Sequence, residues 1–183
     1  MAVDELLNGT AMAPRVLISY AHELQIPGHM ERAVELCESL RIRGLDSRID
    51  RYVEHDPPFW PRWMMDEIAA ATFVLCLASP LYRERCEGRG DETIGRGARW
   101  EGLVITEHLY ASQTAAHKKF IPVLLDSCDV ADIPDVLRPV GTTHYRWPSE
   151  DEDLYRRLTN QPRFVPSPIG QLVKLPTWRV DQS

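Results

Sequence analysis

Short apolar runs along this chain alternate with stretches in which apolar residues return every three or four positions. Arg15 to Tyr20 (RVLISY) is a β-branched run closed by small polar residues, which suits a parallel strand buried on both faces. Apolar positions then recur at Met30, Ala33, Val34, Cys37 and Leu40, the spacing of an amphipathic helix, and Gly44 stands where such a helix ends in a C-cap. Leu45 to Asp50 predicts a second, weaker strand. Arg51 to Phe59 (RYVEHDPPF) predicts a loop, because Pro57 and Pro58 cannot donate to a sheet ladder. A helix is expected from about Trp60 to Ala71, with Pro61 tolerated in its first turn. Trp60 and Trp63 stand three apart on it, so one of them should be buried.

A third strand is expected over Thr72 to Ala78, and Ser79-Pro80 then opens a short helix ending near Cys86. Glu87 to Gly97 (EGRGDETIGRG) reads as a charged, glycine-rich loop, and Arg99 to Ser112 as a helix with Trp100, Leu103, Val104 and Ile105 on its apolar face. Phe120 to Asp126 (FIPVLLD) is the fourth strand and Thr142 to Trp147 the fifth. Ser149, with Glu152 three residues on, makes a capping-box pattern at the start of a last helix. Strand and helix alternate throughout, so the expected fold is α/β, a flavodoxin-like three-layer domain with a five-stranded parallel sheet flanked by helices. An N-terminal extension (1–14), the domain (15–161) and a Pro-rich tail or linker (162–183) complete the expected organisation.

With 183 residues, 44% of them hydrophobic, the chain has enough apolar material for one domain and its tail. Acidic residues outnumber Lys and Arg by 27 to 21, which argues against nucleic acid and anionic lipid as partners. The longest apolar run, Thr72 to Leu81, is about half a membrane span, and Met1 to Glu5 lacks the basic start of a signal peptide. A cytoplasmic protein is expected. Cys37, Cys76, Cys86 and Cys128 form no CxxC pair, so thiols in a reducing compartment are expected rather than disulfides.

Open parallel sheets bind ligands beyond the carboxyl ends of their strands, so function should sit in the loops after strands 1, 2 and 3. The first of these reads Ser19, Tyr20, Ala21, His22, Glu23 and carries no GxGxxG, which removes the usual dinucleotide fold. No GxxxxGK[ST] is present, and the glycine cluster Gly88 to Gly97 holds no lysine, so triphosphate hydrolysis has no support. A phosphoryl-receiver domain would want acids at the end of strand 1, where Ser19 and Tyr20 stand. Without an HExxH or a close His/Cys set, no metal site is expected.

Six segments taken together, RVLISYAHE (15–23), LDSRIDRY (45–52), WPRWMMDEI (60–68), FVLCLASPLYRER (73–85), GRGARWEG (95–102) and KFIPVLLD (119–126), resemble in order the TIR superfamily, and within it the SEFIR branch known from interleukin-17 receptor tails and bacterial proteins. The resemblance covers about Arg15 to Gly170. The run Gly95 to Gly102 resembles bacterial SEFIR proteins and implies a bacterial source.

Domains of this type are either adaptors that signal by homotypic assembly or enzymes that cleave the nicotinamide-ribose bond of NAD. The resemblance implies NAD as substrate rather than cofactor, and it places the catalytic glutamate at Glu101, beside Trp100. A lone carboxylate suits this chemistry: nicotinamide leaves without a general acid, and an anion steadies an oxocarbenium-like ribose. Read from the residue alone, Glu101 is equally an acid complementing the dipole at a helix N-terminus.

The same resemblance makes Ser19, Tyr20 and His22 contacts for nicotinamide and phosphate, and Arg51 and Tyr52 contacts for pyrophosphate and base. Ser79 and Tyr82 are further candidates for the cleft. Their structural alternatives are Tyr20 closing a sheet edge, Arg51 pairing with Asp50, and Ser79 capping the turn that follows it. The loop with Glu54, His55, Asp56, Phe59 and Trp60 resembles the loop through which TIR domains stack, so self-association is implied and an active site completed by a neighbouring protomer. The expected function is an NAD glycohydrolase effector, active when oligomerised, in bacterial antiviral or immune signalling. A sensor or assembly domain linked beyond the C-terminus is part of that expectation. The alternatives are a non-enzymatic SEFIR/TIR adaptor and a flavodoxin-like domain that binds a small molecule without turnover.

Overall fold

Strand alternation divides the buried residues cleanly between two faces. In β1 (Arg15–Ser19), Val16 and Ile18 point to one side and Leu17 to the other; in β3 (Phe73–Ala78), Leu75 and Leu77 oppose Val74, Cys76 and Ala78. β4 (Phe120–Leu125) repeats the pattern, with Ile121, Val123 and Leu125 set against Phe120 and Leu124. Such two-faced burial is what a parallel sheet between helical layers requires. The computed structural model describes residues 13–89, 117–138 and 143–177. In it β2 (Asp46–Arg48) and β5 (Tyr145–Trp147) complete one five-stranded sheet of order β2-β1-β3-β4-β5, parallel throughout.

On one face lie α1 (His29–Ile42), through Ala33, Leu36, Cys37 and Leu40, and α4 (Asp151–Thr159), through Leu154 and Leu158. On the other lie α2 (Trp60–Ala70) and α3 (Pro80–Cys86), through Ile68 and Tyr82. This is the three-layer α/β architecture expected from the alternation of elements. All four cysteines are thiols. Among the described residues no helix is long and apolar enough to cross a membrane.

Gly44 ends α1 as its position predicts. It takes φ +91°, its N–H donates to Arg41 O at 2.9 Å, and the Leu45 N–H reaches Leu40 O at 3.1 Å, a Schellman closure that turns the chain into β2. Pro122 has no N–H to give to a ladder, yet β4 tolerates it: β5 pairs with β4 only from Val123 onward.

Several sequence expectations are corrected. β2 is three residues long, not the six of Leu45 to Asp50, because Asp50–Val53 winds into a short 3-10 helix at the start of the expected loop. The Ser149/Glu152 capping box does not form. Glu150 stands at the N-cap of α4, its N–H donating to Arg146 O at 2.7 Å and its carboxylate accepting from the Arg146 N–H at 2.7 Å, while Glu152 pairs one turn ahead with Arg156. Neither Trp60 nor Trp63 is fully buried, since α2 meets the core through Glu67 and Ile68 in its second half. The expected helix over Arg99 to Ser112 and most of the loop before it lie outside the described residues.

Both edges of the sheet are closed by the chain itself. At β5, Glu150 satisfies both the N–H and the C=O of Arg146. At β2, the Ser47 N–H donates to Leu45 O and the Ser47 C=O accepts from the Arg41 guanidinium at 2.6 Å. Short edge strands whose groups are already bonded offer no template for strand addition.

Candidate functional site

β1, β2 and β3 run in parallel, so their carboxyl ends and the loops that follow gather at one end of the sheet. Asp50, just past β2, joins two of these loops. The Tyr20 phenol donates to its Oδ1 at 3.0 Å, and His22 Nε2 lies 3.0 Å from its Oδ2. The Tyr20 and His22 rings lie 5.3 Å apart, so carboxylate, phenol and imidazole form one cluster. Burial alone would raise the Asp50 carboxyl, but the hydrogen bonds from His22 and Tyr20 outweigh it and hold the group below the usual carboxylate range. Burial first, and the Asp50 charge second, push the Tyr20 phenol well above its ordinary value. Tyr20 is therefore a fixed neutral donor. It closes no sheet edge, because β1 runs between β2 and β3.

The loop after β3 is anchored from below and from the side. Ser79 caps α3 by accepting from the Tyr82 N–H at 3.1 Å, as Ser-Pro predicts. The Tyr82 hydroxyl lies 2.8 Å from Ser19 Oγ, and all three side chains are buried. They form the floor beneath the cleft rather than its lining.

The remaining first-turn donor of α3, the Leu81 N–H, is satisfied from another loop: Glu23 Oε2 accepts it at 3.1 Å, while Oε1 takes the Gln25 N–H at 3.2 Å. Because Pro80 carries no N–H and the Arg83 N–H reaches Ser79 O, the first turn is fully satisfied. Glu23, only 5% exposed, thus acts as a tertiary cap binding the β1–α1 loop to α3.

Between these two loops opens a cleft of about 270 Å³, lined by His22, Glu23 and Leu24 on one side and Leu81, Glu84 and Arg85 on the other. Small-molecule sites usually span about 300–1,000 Å³. This cleft lies just below that range.

The other residues expected in the cleft are engaged elsewhere. Arg51 does not pair with Asp50; it bridges to Glu54 at 2.6 Å across one turn, because Asp50 already faces Tyr20 and His22. Tyr52 packs its ring against the α1 face of the core, and its hydroxyl donates to Glu38. Trp100 and Glu101 lie outside the described residues. Glu54, His55, Asp56, Phe59 and Trp60 are all on the surface, Phe59 being 76% exposed.

Asp50 and Glu23, which organise this end of the molecule, were not singled out as site residues from the sequence. An acid at the end of a strand predicted to enter the ligand-binding end was a usable signal for Asp50. Glu23 had none, since its partner, the Leu81 N–H, is 58 residues away. Nearby, His29 is buried at the start of α1, with Nδ1 4.0 Å from Cys128 Sγ and Nε2 without a hydrogen-bond partner among the described residues.

The sequence from residue 14 to 158 matches the SEFIR domain family. The chain belongs to the SEFIR family. A solved prokaryotic SEFIR domain is similar in fold, with a TM-score of 0.60 and 24% identity over 86% of this chain and 100% of that one. The SEFIR domain of interleukin-17 receptor B also aligns, at a TM-score of 0.49 and 15% identity over 81% of this chain and 96% of that one. No curated protein matches the sequence. SEFIR domains form part of the TIR superfamily and serve signalling by homotypic interaction.

Proposed function

We propose that this SEFIR domain is an NAD glycohydrolase that works when assembled, as an effector in bacterial antiviral or immune signalling in the cytoplasm, under the control of a linked sensor or assembly domain. The observation that carries the reading is the cleft beside His22 and Glu23, at the end of a parallel sheet where such folds bind ligands. In the reaction the C–N bond between ribose C1′ and nicotinamide breaks and its electron pair leaves with nicotinamide. Water then adds to C1′ and releases a proton. Glu101 is the carboxylate proposed to steady the cationic ribose, with Trp100 beside it. His22 supplies a polar contact for the substrate, and Asp50 and Glu23 hold the loops in place.

The test is nicotinamide release by purified protein over a range of concentrations and under crowding, beside a Glu101→Gln variant matched in fold and oligomeric state. Release that rises with assembly and disappears in the variant supports the reading. No release from demonstrably assembled protein refutes it. That second result would favour an adaptor acting by assembly alone, a reading also supported by the engagement of Ser19, Arg51, Tyr52 and Tyr82 with protein partners.

A further inference from the structure

After α4 the chain continues through residues 162–177 without helix or strand. Its apolar side chains face water: Phe164, Val165, Ile169, Leu172, Val173 and Leu175 are each at least 79% exposed. Pro162, Pro166 and Pro168 fix φ near about −65° and favour an extended, polyproline-like path. Arg163 and Lys174 give the segment positive charge, and no acid stands between residues 162 and 180.

The domain carries a surface of complementary chemistry at the start of α2. Phe59 is 76% and Trp60 37% exposed, and Trp60 meets the half-buried Trp63 edge to face with centroids 5.7 Å apart. Exposed Glu54 and Asp56 lie on the loop leading into these rings. Aromatic surfaces are the common receptors for proline-rich extended segments, because rings pack against the pyrrolidines of a backbone that loses little entropy on binding.

We propose that the Pro162–Pro168 segment of one copy docks on the Phe59–Trp60–Trp63 patch of a second copy, with Arg163 turned toward Glu54 and Asp56. Geometry selects the second copy. α4 packs beside the edge strand β5 on one face of the sheet, and α2 beside β1 on the opposite face. With helices about 10 Å across, the two layers are about 20 Å apart through the sheet, and β1 and β5 are three strand spacings, about 14 Å, apart laterally. Asn160 to Phe164 reaches no more than about 14 Å, and the path must also round the β5 edge.

The present pairs of Arg163, with Asp153 at 2.8 Å and Glu152 at 3.8 Å, are half-exposed surface contacts that exchange at little cost. Since both sheet edges are closed, assembly falls to surfaces such as this one.

This inference rests on the assembly half of the proposed function and not on its chemistry. It is tested by sedimentation velocity on the full chain across concentration, beside Trp60→Ala and a Phe164→Ser/Pro166→Ser variant whose changes lie outside the core. Each variant alone should associate at least about tenfold more weakly than the wild type. A mixture of the two should recover a dimer, because one supplies an intact segment and the other an intact patch. Variants that associate like the wild type, a mixture that stays monomeric, or a wild type monomeric at every concentration would each overturn the contact. Sedimentation with phosphatidylserine vesicles that needs the segment but not Trp60 would reassign the segment to a membrane surface and overturn it as well. Association lost with nicotinamide release retained, or the reverse, separates failure of this contact from failure of the enzymatic reading.

Discussion

Glu23 is the most informative single residue to perturb, because its two carboxylate oxygens hold two loops together in a nearly closed environment. Glu23→Ala removes the acceptor for the Leu81 N–H in the first turn of α3 and for the Gln25 N–H in its own loop. A buried donor deprived of its acceptor costs about 1–3 kcal/mol. Gln25 is exposed, so water takes over its N–H and most of the cost falls on Leu81. Leu81 is half-buried and lines the cleft, so the expected loss is about 1 kcal/mol, at the low end of that range, equivalent to a fall of about 2–4 °C in Tm for a chain of this size. Glu23→Gln keeps one acceptor oxygen and should lose about half as much. Urea unfolding followed by far-UV circular dichroism measures both variants. An alanine variant within about 0.5 kcal/mol of the wild type, or a glutamine variant as damaged as the alanine one, would refute the tertiary-cap account.

His29 gives a prediction in pH. Burial lowers its pKa, and the nearby Glu23 charge offsets this only in part, so between the folded value and the unfolded value of about 6.5 the unfolded chain binds the proton more readily. Its contribution is complete above about pH 6.5 and is lost as the pH falls, with a slope of at most about 1.4 kcal/mol per unit. His29→Gln should flatten this limb of a urea-midpoint profile, and an unchanged profile would contradict the assignment. The acid-side loss from Asp50, whose pKa is depressed, falls in a separate window below about pH 4. Ser79→Ala removes the α3 cap bond to the Tyr82 N–H and should cost about 1 kcal/mol in the same unfolding assay, while Ser79→Thr should retain most of it.

Much of the architecture was legible in the chain because periodicity reports burial directly. Runs such as FVLCLA (73–78) and FIPVLL (120–125) are apolar at nearly every position, and only a strand covered on both faces needs that. Gly44 and Ser79 did what their positions foretold, since a left-handed C-cap and a hydroxyl N-cap are local devices whose partners lie within a few residues. Ser149 does not cap α4 because another local device takes its place: Glu150, four residues beyond Arg146, bonds both the N–H and the C=O of Arg146 and itself stands at the N-cap.

The sequence by itself determined the order of the described elements, the two-faced burial of the strands, the loops that would share one end of the sheet, and the membership that its motifs announced. Only the tertiary structure decided which residues work together there. Asp50 meets Tyr20 and His22 from 30 and 28 residues away, and Glu23 reaches the Leu81 N–H across 58. Such pairings leave no periodic trace, because they depend on which strands lie side by side in the sheet rather than on the spacing of residue types along the chain. The same holds for Arg51 and Tyr52: the chain placed them beside the cleft, and the fold gave them Glu54 and Glu38 as partners.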